Sequence, residues 1–238
     1  YFVLRQLYGF KSVLKNKLEG IYDSIKINHE DRWSLPLLNF DETLNYMETI
    51  QQHVFTKLDQ EFLSKEEIFA IQFAILHEDM HSEAFLWGRQ TLGYRRPKIK
   101  KNIGNFDSTD FNYLNQFVDI PGGEFMFGTP PDASFLFDNE KWAHSILLKP
   151  FSIAVAPVTN EEFSIFVEDK GYEFQEFWSY EGQKWKAQSG LQHPGYWCKL
   201  NAGDWGCKSF DKTVPLAPHQ PVIHVNWFEA NAYCAWAG

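Results

Sequence analysis

The chain has 238 residues, of which 44% are hydrophobic and 17% aromatic, and its formal net charge is −9 at pH 7. This length and composition predict two folded domains and exclude a disordered chain. An acidic chain without an apolar run of about 20 residues is a poor candidate for binding nucleic acid or spanning a membrane, so neither is an expected partner.

The cysteines and the ends of the chain set the expected context. Cys198, Cys207 and Cys234 are too few, and odd in number, for a secreted disulfide framework, and a Cys198–Cys207 pair is the less favoured interpretation. No signal peptide is visible, so we expect a cytoplasmic protein. The chain begins at Tyr1 inside an apolar-periodic stretch and stops at Gly238 after a helix-like segment. We therefore expect an interior fragment of a longer protein.

Two regions differ in composition. Residues 1–96 have few glycines and helical periodicity, whereas residues 116–238 are rich in Gly, Pro and Trp and carry short β-like runs. Residues 97–115 are polar and predict a linker, with a short basic run that is better explained as solvated than as a nucleic-acid patch. The predicted fold class is α+β with more than one domain.

The first region contains two predicted helices. An apolar-periodic segment over residues 41–59 predicts the first. Ser64 and Glu67 form a capping box that opens the second, which we expect to end at Leu92 because Gly93 can take the left-handed conformation. Long helices with short connections predict an antiparallel bundle.

The second region mixes strands and helices. Strands are predicted over residues 117–128, around a Pro-Gly turn, and over 144–150. Capping boxes predict helices over 159–170, with Gly171 as the stop, and over 226–238. We expect the intervening stretch to be irregular and to supply an aromatic core, with Trp178, Trp185, Trp197 and Trp205.

The sharpest chemical feature is the segment His77-Glu78-Asp79-Met80-His81-Ser82-Glu83. Histidines four residues apart share one helix face, so both imidazoles can reach one metal ion, and such pairs suit iron, zinc, copper or nickel. Glu83 can accept the free ring N–H of a ligating histidine. The competing interpretation is a helix face with two exposed or internally satisfied histidines. The apolar turns before His77 predict a largely buried helix, where imidazoles need partners, and this favours the metal site.

Three further side chains are weaker candidates. His53 and His29 are possible third ligands, although His53 is better explained as a helix-surface or core histidine. Arg32 has the shape to bind a substrate carboxylate. On sequence alone, an ion pair of Arg32 with Asp31 or Glu30 is the more economical interpretation.

These motifs resemble a known pair of domains. His77, His81 and Glu83 match the His-x-x-x-His-x-Glu signature of the DinB-like domain in ergothioneine-type sulfoxide synthases. The second region resembles the formylglycine-generating-enzyme (sulfatase-modifying factor) domain over residues 120–125, 157–163, 182–197 and 221–238. Both domains in this order are similar to non-haem iron sulfoxide synthases of ergothioneine biosynthesis. The resemblance implies an N-terminal DinB-like helical bundle followed by a partial C-type-lectin-like formylglycine-generating-enzyme fold.

The resemblance also implies a reaction. Fe(II) would be held by three histidines, two of them His77 and His81 and the third lying before Tyr1. The substrates would be hercynine or histidine, a thiol donor and O₂, joined through a C–S bond to give a sulfoxide. Open positions on an imidazole-bound iron suit this chemistry, because thiol, imidazole and O₂ can meet there.

Three positions bear on the substrates through the same resemblance. Arg32 aligns with an arginine that binds the donor carboxylate, while His29 stands where the family has a second arginine. Met80 replaces a glutamine near the imidazole substrate, and a catalytic tyrosine of the family falls beyond Gly238. These departures leave open a selenoneine-type synthase with a selenosugar donor. A DinB-type metal-dependent thiol S-transferase and a non-catalytic ligand-binding module are rival interpretations from different functional classes.

Overall fold

A computed structural model describes the fold in two compact units. The first unit comprises residues 1–83 and 128–143, and the second comprises 84–127 and 144–238. The expected linker, residues 97–115, lies mostly outside the described part of the chain, so the domain boundaries given above stay a prediction. The described residues are 2–11, 20–22, 27–59, 62–98, 116–200 and 203–238.

Helix α1 spans Phe40–Leu58 and confirms the first predicted helix. Its cap is Asn39, whose side-chain oxygen accepts the N–H of Glu42 at 2.9 Å while the Glu42 carboxylate accepts the N–H of Asn39 at 3.0 Å. This reciprocal box satisfies two helix N–H groups, so the helix begins one residue before Asp41. Two short 3₁₀ turns precede it, at Gly20–Tyr22 and His29–Ser34.

Helix α2 spans Lys65–Leu92 and carries the histidine motif. The Ser64 N–H donates to Glu67 Oε2 at 2.6 Å, and the Glu67 N–H donates to Ser64 Oγ at 3.2 Å, which confirms the predicted capping box. Gly93 has φ +66°, the left-handed conformation that ends helices, as the sequence predicted.

An excursion of the chain, residues 128–143, belongs to the first unit although the residues on both sides of it belong to the second. Within the first unit its aromatic rings pack on α2. The Phe135 ring lies 5.1 Å from that of Phe69, and the Phe137 ring lies 6.0 Å from that of Phe73. The excursion therefore adds an aromatic layer to the turn of α2 that precedes the histidine motif.

Four strands of the second unit form two antiparallel pairs. β1 (Phe117–Ile120) pairs with β4 (Phe151–Ala154), and β2 (Gly123–Phe127) pairs with β3 (His144–Leu148). β1, β2 and β3 confirm the predicted strands, whereas β4 was not predicted. Gly122, with φ +76°, lies in the tight turn between β1 and β2, two consecutive strands that do not pair with each other.

Helices α3 (Asn160–Glu168) and α5 (Trp227–Ala237) start where the capping boxes predicted, after Thr159 and Asn226. Helix α3 ends two residues before the predicted Lys170, and the Gly171 N–H donates to the Phe166 carbonyl at 2.9 Å, so Gly171 does take part in ending the helix. The left-handed residue at that end is Lys170, with φ +63°.

Gly171 is also required for packing. A Cβ on this residue would lie 2.1 Å from Phe166 Cε2, so only glycine lets the backbone approach the buried ring.

The stretch between α3 and α5 is more regular than predicted. It contains α4 (Tyr180–Ser189) and a three-stranded antiparallel sheet of β5 (Trp197–Lys199), β6 (Trp205–Ser209) and β7 (Lys212–Pro215). The helix escaped prediction because its sequence is polar and lacks an apolar stripe. The strands are three to five residues long, too short to show alternation.

The pairing of these strands also shows whether Cys198 and Cys207 can form a disulfide. Cys198 lies opposite Gly206, and Cys207 lies opposite Trp197. Directly opposed residues share a face and neighbours alternate, so the two thiol side chains point to opposite faces. All three cysteines are free, and the interpretation of Cys198 and Cys207 as a disulfide is wrong for this structure.

The core of the second unit is aromatic, as the sequence predicted. The Trp178 indole N–H donates to the Gly171 carbonyl at 2.8 Å, which gives a buried polar group its partner. The buried cluster consists of Phe163, Phe166, Tyr172, Trp178, Trp197 and Ala232.

In the described part of the chain, no helix combines the length and apolar character needed to cross a membrane.

Candidate metal centre

His77 and His81 lie one turn apart on the same face of α2. Their ring centroids are 4.6 Å apart and their planes are nearly perpendicular, at 87°. The four-residue spacing produces this juxtaposition, because 3.6 residues complete a turn. Two imidazoles this close can offer nitrogen lone pairs to a common point.

The prediction that this part of α2 is largely buried is wrong. Ile75 and Phe85, on either side of the pair, have relative exposures of 58% and 72%, and both histidines are exposed. Apolar periodicity identifies the side of a helix that prefers burial, but not whether another element covers it. The features that favour a metal site are therefore the spacing of the two histidines and their ring contacts.

Phe73 extends the row of rings by one more turn. Its ring is stacked on that of His77, with centroids 6.0 Å apart and planes 11° from parallel, and Phe69 stacks on Phe73 at 6.3 Å. Phe137 of the excursion packs edge-on against Phe73. The row at four-residue spacing was visible in the sequence, but the part played by Phe73 was missed because the excursion could not be placed.

A cavity of about 870 Å³ opens beside this row in the first unit. Phe69 and Phe73 form one wall, and residues 131–134 of the excursion form another. Its walls are mainly apolar, and its size is that of pockets that hold small molecules.

The predicted substrate-binding residues lie in two places. His29 and Arg32 belong to the exposed 3₁₀ turn His29–Ser34, where the Asn28 amide donates to the Asp31 carboxylate at 3.3 Å. Met80 follows His77 by three residues, so it shares that helix face. All three stay predictions.

Glu83 and His53 have different surroundings. Glu83 follows His81 by two residues, a spacing that places the two side chains on different helix faces. A role for Glu83 beside the metal stays a prediction. The His53 ring lies 4.4 Å from the Phe10 ring. Among the described residues, no group of three or more His, Cys, Asp and Glu side chains is placed to hold one ion.

The donor set fits a metal ion in part. Neutral imidazole nitrogens suit Fe(II) as well as zinc, copper and nickel. His77 and His81 are spaced so that they can occupy two adjacent positions around one metal ion. A complete site needs at least one further ligand.

The second region is a sulfatase-modifying factor domain. Residues 104–238 match the model of the sulfatase-modifying factor enzyme 1-like domain, and the chain belongs to that family. The mixed helices and strands of the second unit agree with this assignment.

Similarity to curated proteins extends over both regions and confirms the resemblance seen in the motifs. The chain is 31% identical to a hercynine oxygenase of Mycolicibacterium thermoresistibile over 228 residues, 95% of the chain and 49% of that protein. It is 29% identical to a hercynine oxygenase of Mycobacterium tuberculosis over 232 residues, 97% of the chain and 53% of that protein. The chain thus spans about half the length of these relatives.

A relative that is not named a hercynine oxygenase matches a shorter part of the chain. The inactive Cα-formylglycine-generating enzyme 2 of Mus musculus is 34% identical over 140 residues, 51% of the chain and 42% of that protein.

Proposed function

We propose that the protein is an iron(II)- and O₂-dependent oxidoreductase. It forms a C–S bond between hercynine and a thiol donor and oxidises the sulfur to a sulfoxide. The observation that carries the proposal is the perpendicular pair His77 and His81, in a chain similar to hercynine oxygenases over 95% of its length. We further propose that residues 1–96 form a DinB-like helical domain and that the protein works in the cytoplasm.

The histidine pair has the task of holding iron. His77 and His81 each offer an imidazole nitrogen, and the resemblance assigns a further histidine to the set. When bound, Fe(II) supplies open positions at which O₂ and the donor sulfur meet the imidazole substrate.

Other side chains of the first unit have the roles of orienting and binding. Phe73 restricts the ring of His77 by stacking on it. The cavity along Phe69 and Phe73 offers a mainly apolar surface to a substrate. Arg32 is suited to a donor carboxylate through its forked guanidinium, and Met80 borders the pair on the same helix face.

The rival functions differ in donor and in chemistry. A selenosugar donor is compatible with His29 in place of the family arginine. A thiol S-transferase would use the same histidine pair with zinc and would not consume O₂. A non-catalytic module gains support from the similarity to a formylglycine-generating enzyme that is named inactive.

Oxygen uptake by the full-length protein tests the proposal. The protein, reconstituted anaerobically with Fe(II), is given hercynine with γ-glutamylcysteine, cysteine or a selenosugar. We expect O₂ uptake that requires both hercynine and one donor, and that is lost in His77→Ala and His81→Ala. His219→Ala is the matched control, since His219 lies 3.6 Å from Glu161 in the second unit, outside the pair. Iron-loaded protein that takes up no O₂ with any donor would contradict the proposal.

A further inference from the structure

A separate cavity of about 600 Å³ lies within the second unit. Four aromatic side chains contribute to its wall: Trp87 from the end of α2, Tyr196 before β5, Trp197 in β5 and Phe210 after β6. The volume is within the range of small-molecule sites, and flat apolar walls favour a flat apolar ligand.

The charge of this cavity is opposite to that of the chain. Arg96 and Lys208 line it, and no Asp or Glu is among its described lining residues, although the chain carries −9 overall. The Arg96 guanidinium lies 5.6 Å from the centre of the Phe210 ring, which holds it at the wall by a cation–π contact. A cationic cavity in an acidic protein favours an anionic ligand.

Gln90 fixes the backbone that carries this wall. Its side chain is buried, with 8% relative exposure, and donates to the Lys208 carbonyl at 2.9 Å. Its amide oxygen accepts the N–H of Phe210 at 2.7 Å. Both ends of a buried amide are therefore satisfied by the two residues that flank Ser209, so the positions of Lys208 and Phe210 are defined rather than left to a loose loop.

His224 supplies an unusual polar group at the same cavity. Its backbone has φ +62°, an uncommon conformation for a non-glycine residue, and such conformations cluster at functional sites. Its ring lies 4.6 Å from that of Tyr196. No hydrogen bond to the imidazole is formed by the described residues. Partial burial lowers the pKa of His224, so a neutral ring offers one donor and one acceptor to a ligand.

We propose that this cavity binds a small organic anion, a carboxylate or phosphate attached to a planar apolar body. Arg96 and Lys208 bind the oxyanion, the aromatic walls contact the body, and His224 makes the remaining polar contact. The guanidinium fork suits both kinds of oxyanion, and two probes distinguish them.

Calorimetric titration of the full-length protein with phenylacetate and with phenyl phosphate tests this site. No iron, hercynine or thiol is present, so the outcome is independent of the proposed oxidation. We expect at least one of these anions to bind at one site, and the neutral phenylacetamide to bind about tenfold more weakly. The anion that binds more tightly shows whether the site prefers a carboxylate or a phosphate. A failure of both to bind at millimolar concentration would overturn the proposal.

Three variants locate the binding. Arg96→Gln and Lys208→Gln are expected to weaken the anion about five- to tenfold. Lys184→Gln is the matched control, because its ammonium also lies over an aromatic ring, that of Tyr180 at 4.2 Å, but outside the cavity. Equal losses in Lys184→Gln and Lys208→Gln would mean non-specific charge attraction and would sink the proposal.

His224→Asn separates binding from folding. Asparagine tolerates the left-handed conformation, so the variant should unfold at the wild-type temperature. Its shorter side chain should weaken the bound anion about threefold. Unchanged affinity in the folded variant would show that His224 does not contact the anion. Unchanged affinity in both His224→Asn and Arg96→Gln would refute the proposed geometry.

Discussion

The hydroxyl of Tyr172 donates a 2.6 Å hydrogen bond to Oε1 of Glu229, and both side chains are only 2% exposed. The other carboxylate oxygen of Glu229 accepts the N–H of Asn226 at 2.8 Å, which closes the capping box of α5. One buried carboxylate therefore connects the start of α5 to the segment between α3 and α4.

Removing the Tyr172 hydroxyl should destabilise the second unit. In Tyr172→Phe a buried carboxylate loses one donor, and hydrogen bonds to charged groups contribute about 1.5–3 kcal/mol. We expect a loss of this size in urea unfolding, seen as a lower midpoint at constant slope. Tyr180→Phe, at a residue that is 67% exposed, should change stability by less than about 0.5 kcal/mol. Equal effects of the two variants would contradict this role for Tyr172.

Alkaline pH should weaken the same contact. Burial, and then the hydrogen bond and charge of Glu229, raise the pKa of Tyr172 far above its ordinary value of 10.0. The folded state thus favours the neutral phenol. The stabilisation is complete below the unfolded pKa of about 10, and it decreases as the pH rises above that value. The stability difference between wild type and Tyr172→Phe should be constant up to about pH 9 and shrink above about pH 10. A stability difference between wild type and Tyr172→Phe that grows as the pH rises above about 10 would contradict this prediction.

Gly171→Ala should be strongly destabilising. The new Cβ would lie 2.1 Å from Phe166 Cε2, and the Phe166 ring is fully buried, so either the ring or the backbone must move. Overpacking of this kind costs about 1–3 kcal/mol or more. Gly195→Ala is the matched control, since its Cβ would meet only Leu191 Cδ1 at an ordinary 3.7 Å. Thermal unfolding should separate the two variants by several degrees, and coincident curves would rule out the steric role of Gly171.

Phe73 should strengthen the binding of a metal ion by His77 and His81. Phe73→Leu removes the ring stacked on His77, and we expect roughly fivefold weaker binding of Co(II), followed by its visible absorption in the full-length protein. Phe69→Leu changes the same residue type one turn earlier, where the ring stacks on Phe73 and Phe135. It should leave the affinity close to wild type. Equal weakening in both variants would point to general loosening of the helix rather than to positioning of His77.

Local patterns were enough to predict much of the fold. Capping boxes at Ser64, Thr159 and Asn226 start helices where the sequence placed them, because each box is complete within four residues. The helical period alone places His77 and His81 on one face. The sequence therefore determined the chemical character of the candidate site before any packing was known.

Tertiary structure decided what local patterns do not contain. The contact between Tyr172 and Glu229 joins residues 57 positions apart, and the excursion brings Phe137 onto Phe73 from far along the chain. Whether the apolar side of α2 is covered, and which residues enclose the cationic cavity around Arg96, also depend on such distant neighbours. Periodicity states what a side chain prefers, and only the packed chain determines which neighbour it meets.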